Sequence, residues 1–131
     1  MKLDHVGIVV ANLSETIDRW QPLLGAPTSP PEEVTGSGVR VAFFAAGETH
    51  LEFVEPSGPQ SPVSRFLDSR KGGLHHIAFA VPNVDAALAE VAARGGRLID
   101  RHGRPGARGR NVGFAHPAAF AGVLVEFVEE P

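Results

Sequence analysis

At 131 residues, with 43% hydrophobic and 21% charged residues, the chain has the size and make-up of one globular domain with its own core. Its formal net charge of −3 excludes a broad nucleic-acid face, which needs clustered basic charge. It has no cysteine, so disulfides, thiolate metal sites and cysteine nucleophiles are excluded together.

Residues 2–10 alternate and are rich in Val and Ile, which predicts a strand. Asp4 and His5 stand where a signal peptide would carry its apolar stretch, and no apolar run approaches the ~18 residues of a membrane span. A cytoplasmic chain with no membrane contact is therefore expected. Leu13, Ile17, Trp20 and Leu24 fall at helical spacing, with Asn12 or Ser14 to cap the start and Gly25 to stop it. Pro27 to Pro31 punctuate an irregular connection, after which strands are expected at 39–46 and 49–56, joined around Gly47-Glu48. The stretch 57–73 is Pro-, Ser- and Gly-rich at its ends, reads as a linker, and has room for a short helix at 62–69. A strand at 74–81 leads into a helix at 83–94 with an apolar stripe of Val84, Leu88, Val91 and Ala92, ended by Gly95-Gly96. Strands are expected at 96–100, 111–115 and 122–129.

The order repeats. With an offset of 71, His5 matches His76, Val10 matches Val81, Asn12 matches Asn83 and Gly25 matches Gly96. A second matched pair follows, LEFVE at 51–55 and VEFVE at 125–129. The chain thus divides into module one (1–56), a linker (57–73) and module two (74–131), within a single domain. Strand, helix and two or three further strands, twice over, predict an α+β protein whose sheets join into a curved surface or open barrel.

Each module supplies one histidine early and one glutamate late. Side chains alternate across a strand, so Leu3, His5, Gly7 and Val9 share one face, as do Leu74, His76, Ala78 and Ala80. The small Gly7 and Ala78 leave room beside each histidine. Glu52 and Glu126 sit within otherwise apolar strands, where an isolated carboxylate is costly unless it is paired or binds a cation. His5, Glu52, His76 and Glu126 are therefore the candidate ligands of one divalent ion, and without cysteine the donor set suits Co, Ni, Mn, Zn or Fe. The plainer alternative is a one-sided sheet on which both glutamates face solvent.

The motifs DHVGIVV, LEFVEP, GLHHIAFAV, FAHP and GVLVEFVE, in that order, resemble the vicinal oxygen chelate superfamily of glyoxalases, bleomycin resistance proteins and dioxygenases. Within it the likeness is to the methylmalonyl-CoA epimerases. The resemblance implies paired βαβββ modules forming a cupped, partly open β-barrel around one divalent metal, and it carries over the same four ligands. It further implies an isomerase acting through a metal-stabilised enediolate, with Glu126 both ligand and catalytic base. A small-molecule substrate of the acyl-CoA kind and a homodimer are implied as well.

Three positions depart from that pattern. The epimerases usually carry a catalytic glutamate before a Gln-Gly-Val or His-Gly-Val motif, whereas this chain reads EVTGSGV and places Gly36 there. Glycine cannot move a proton, which leaves Glu32 or Glu33 as substitutes from a shifted loop. Ala118 and Ala119 stand where charged residues are usual, which weakens the transfer of a coenzyme A site. A related glyoxalase-like lyase on another substrate and a non-catalytic antibiotic-binding protein are the alternatives.

The segment 101–110, RHGRPGARGR, holds Arg101, Arg104, Arg108 and Arg110. Arginine pairs well with phosphate or carboxylate, so Arg108 and Arg110 are candidate substrate contacts, against the alternative of a solvated loop. No helix follows its glycines, so it is not a dinucleotide fingerprint. His50, His75 and His102 are read as non-ligands, and His116 as a strand-end or turn residue.

Overall fold

The computed structural model describes all 131 residues. The chain forms two compact units, Val6–His75 and the pairing of Met1–His5 with His76–Pro131. The first strand, β1 (Lys2–Val9), and the fifth, β5 (Gly73–Val81), each begin in one unit and end in the other.

In the Val6–His75 unit, α1 (Leu13–Leu24) starts where the side chain of Asn12 accepts a hydrogen bond from the Glu15 N–H at 2.9 Å. It stops at Gly25, whose φ of 83° is glycine's territory. Strands β2 (Glu32–Val34), β3 (Val39–Ala46) and β4 (Thr49–Pro56) pair antiparallel. One face of this sheet packs on α1, with Leu13, Ala42, Phe44 and Phe53 buried together and Trp20 against Phe53. Cross-strand partners share a face, so Glu32 with Val41 and Val54, and Phe43 with Glu52, lie on the opposite side. The connection 57–73 contains α2 (Ser64–Arg70), close to the short helix expected there.

The other unit repeats the plan. α3 (Val84–Ala93) begins where Asn83, the counterpart of Asn12, accepts from the Ala86 N–H at 2.8 Å. β5 pairs parallel with β8 (Val125–Glu129), and β8 pairs antiparallel with β7 (Asn111–Ala115). Val84 and Leu88 of α3 bury against Val81, Ala115, Val125 and Phe127. On the far side of the sheet Ala78, Val112 and Val128 form a separate buried cluster. The fold is thus α+β, from two modules of like order, with strands in the order β2-β3-β4-β1-β5-β8-β7-β6, where β6 is Arg104–Pro105.

Two expectations change. The strand expected at 96–100 is absent, and only Leu98 makes a bridge, to Ala115. The N–H groups of Ile99 and Asp100 both donate to the Phe114 carbonyl, and the Asp100 carboxylate accepts from the Phe114 N–H at 2.8 Å. A side chain has taken the place of a ladder carbonyl, which ends the pairing after one residue. The last strand starts at Val125 rather than 122, because Ala121 and Gly122 carry positive φ values of 55° and 98° after a short 3₁₀ turn at Pro117–Phe120.

Candidate metal centre

β1 delivers His5 and β5 delivers His76. Both are buried, at 2% and 6% exposure, although each stands in an apolar strand. Their Nε2 atoms lie 3.1 Å apart, with the rings edge to face. Both nitrogens also approach one oxygen of buried Glu126, at 3.0 Å from His5 and 3.1 Å from His76. Yet Glu126 Oε1 itself has no hydrogen-bond partner of good geometry. Two ring nitrogens, within hydrogen-bond distance of each other, and a carboxylate oxygen without a hydrogen bond therefore converge at almost equal spacing.

That convergence fits a metal ion. Donors at about 2.1 Å from a common ion stand about 3 Å apart when adjacent in an octahedron and about 3.4 Å apart in a tetrahedron. A buried carboxylate oxygen without a hydrogen-bonding partner is otherwise costly. Burial pushes the Glu126 carboxyl up, but the imidazoles of His5 and His76 outweigh that and hold it below its usual range. It is accordingly a carboxylate at neutral pH, as a ligand must be.

Glu52 is buried on β4 opposite Phe43 of β3, and Glu126 is opposite Phe114 of β7. Neither glutamate faces solvent, which removes the one-sided sheet alternative. Of the four expected ligands, His5, His76 and Glu126 lie in one unit, and buried Glu52 lies in the other. Ala78 lies beside Glu126 in the parallel β5–β8 pairing and is fully buried, so a small residue does stand there.

Asp4 was the residue that sequence reading missed. It is buried, and its Oδ2 accepts from His5 Nδ1 at 2.7 Å. The same oxygen accepts from Arg108 Nη2 at 2.5 Å, and Oδ1 accepts from Arg110 Nη1 at 3.1 Å. Burial alone would raise the Asp4 carboxyl, but the hydrogen bonds from His5 and Arg108 and the Arg108 charge hold it well below the ordinary carboxylate range. Arg110 also donates to the Glu129 carbonyl at 2.7 Å. The end of the basic segment is therefore folded inward, whereas Arg101 is exposed. Arg104 stacks over Phe114, whose ring in turn meets His76 at 5.5 Å.

The remaining histidines lie elsewhere. His75 packs its ring edge to face with Phe66, and His50 does so with Phe43. His102 is exposed. His116 caps the 3₁₀ turn by accepting from the Ala118 N–H at 2.9 Å, which is the turn role expected of it. Gly36 occupies the turn between β2 and β3 with a φ of 87°, so residue 36 supplies a left-handed bend that a glutamate would adopt only under strain. Of the two nearby acids, Glu33 is exposed and accepts from the Ser57 hydroxyl at 2.7 Å, while half-buried Glu32 lies on the same sheet face as Glu52.

Known proteins share the sequence and the fold of this chain. The chain is 37% identical over 130 residues to "Methylmalonyl-CoA epimerase, mitochondrial" of Dictyostelium discoideum, covering 98% of this chain and 78% of that one. It is 36% identical over 128 residues to "Ethylmalonyl-CoA/methylmalonyl-CoA epimerase" of Cereibacter sphaeroides, covering 95% of both. The solved structure of a Streptomyces coelicolor methylmalonyl-CoA epimerase variant in complex with 2-nitronate-propionyl-CoA superposes with a TM-score of 0.93 at 31% identity, covering 99% of this chain and 94% of that one. Residues 4–114 match the family described as the Glyoxalase/Bleomycin resistance protein/Dioxygenase superfamily, and the chain belongs to that family.

Proposed function

We propose that the protein is a metal-dependent isomerase that inverts the α-carbon of a methylmalonyl-CoA-like acyl-CoA. The observation that carries the metal half of this reading is the convergence of His5 Nε2, His76 Nε2 and Glu126 Oε1 with that oxygen left unsatisfied. Buried Glu52, at the matching place in its own module, is the fourth proposed ligand. The substrate half is supported by relatives that are epimerases of malonyl-type thioesters.

These residues would hold a divalent ion, which would supply Lewis-acid stabilisation of the negative charge that develops when the α-proton leaves. Epimerisation also needs a proton removed from one face of the carbon and one returned to the other. Glu126 is the proposed proton-transfer group at the metal. Glu32 is the proposed second one, because it shares the Glu52 face and stands among Val34, Val39 and Val41, where little water competes for its proton. Glu33 is ill placed for this, being turned outward to Ser57.

Incubating metal-loaded protein with (R)- or (S)-methylmalonyl-CoA in D₂O and following α-deuteration and loss of optical activity tests the reading. Both are expected to exceed the rate with the free ion. Metal uptake without exchange would remove the epimerase assignment. No metal uptake at all would favour a binding protein.

A further inference from the structure

Asp4 has no counterpart in the repeat. Position 75, its match at the offset of 71, is a histidine whose ring packs on Phe66. The asymmetry places a buried carboxylate behind one of the two histidines only. His5 Nδ1 lies 2.7 Å from Asp4, so that nitrogen carries the proton and Nε2 presents its lone pair toward Glu126 and His76.

The backbone marks the same place. Arg108 adopts φ 60° and ψ 25° inside a 3₁₀ turn at Ala107–Gly109. The other non-glycine residues with positive φ, Lys71 and Ala121, cap helical segments, a common home for that conformation. Arg108 has no such excuse, and strain of this kind persists where surrounding contacts impose it. Here the bond to Asp4 at 2.5 Å, with Arg110 binding the other carboxylate oxygen, holds the guanidinium inward.

We propose that Asp4, clamped by Arg108 and Arg110, is a positioning residue that fixes the tautomer and aim of His5 and so sets the affinity of the metal centre. Arg108 acts through Asp4: it neutralises the buried carboxylate and stops it from swinging away from the imidazole. The inference rests on His5 being a ligand, as proposed above, but not on any particular substrate.

The test is Co(II) binding to metal-stripped protein, followed by calorimetry and by the visible absorption of bound Co(II), with circular dichroism as the check of folding. Asp4→Asn is expected to bind Co(II) about 10–100-fold more weakly and to shift the absorption bands. Arg108→Ala is expected to weaken binding by a smaller factor, and the double variant no further than Asp4→Asn alone. Unchanged affinity and spectrum in a folded Asp4→Asn protein would overturn the proposal. So would losses that multiply in the double variant, which would make Arg108 independent of Asp4. If Asp4→Asn does not fold, Arg108→Ala decides through its spectrum, which a merely structural role would leave unmoved. A wild-type protein that binds no Co(II) would instead sink the metal reading itself.

Discussion

The Nε2 atoms of His5 and His76 stand 3.1 Å apart, each also within 3.1 Å of Glu126 Oε1. In such a cluster the Glu126 oxygen lacks a hydrogen bond, and the proposed cation would satisfy it. Stripping the protein with a chelator and adding back Co, Ni, Mn or Zn at about 100 times Kd should stabilise it by about 2.7 kcal/mol, a rise of about 10 °C in Tm for a chain of this size. Thermal denaturation with and without metal measures this, and His76→Ala should abolish the increment.

Glu126→Gln keeps the shape and removes the charge. Metal affinity should fall by at least about tenfold, because a neutral amide oxygen is a weaker ligand than a carboxylate. Equal Co(II) affinity in the two proteins would remove Glu126 from the ligand set.

Glu32→Gln separates proton transfer from metal binding. Its Co(II) affinity should match the wild type, while α-proton exchange on methylmalonyl-CoA falls by about 10²–10⁴-fold, the usual worth of a positioned general base. A variant that exchanges at the wild-type rate would leave the second proton-transfer role unfilled.

The two acids of each EFVE motif do different work. Glu52 and Glu126 are buried, whereas Glu55 and Glu129 accept from the Leu13 and Val84 N–H groups at the starts of α1 and α3, at 2.7 and 2.9 Å. Glu129→Ala should therefore cost about 1 kcal/mol in urea denaturation through loss of a helix cap, with metal affinity unchanged.

Asp4 gives metal-free protein a pH signature. Its carboxyl is held below the 3.8 of an ordinary aspartate, so the folded state binds fewer protons there than the unfolded state. Its stabilising contribution is complete above that range and is lost as pH falls through it and on towards the lowered value. The stability gap between wild type and Asp4→Asn, measured by urea denaturation, should accordingly narrow as pH drops from about 6 to about 3.

The repeat made much of the site legible. Matching at an offset of 71 selects both histidines, and the EFVE motifs select both glutamates, because duplicated strands put equivalent residues at equivalent places. The same offset pairs Phe43 with Phe114, the residues facing Glu52 and Glu126 across their strands. Helix α1 and strands β3, β4 and β7 follow local pattern and fall at 13–24, 39–46, 49–56 and 111–115 as expected.

What depends on one module alone was not legible. Asp4 looks like an ordinary N-terminal charge until Arg108 and Arg110, more than a hundred residues later, are folded against it. Strand 96–100 fails because Asp100 takes a ladder position with its side chain. Glu32 and Glu33 are adjacent acids whose roles separate only when the β2–β3 register turns one inward and the other outward. Periodicity and repetition report which face a residue is on. Which distant charge meets it there is settled only by the folded chain, since that pairing carries no spacing in the sequence.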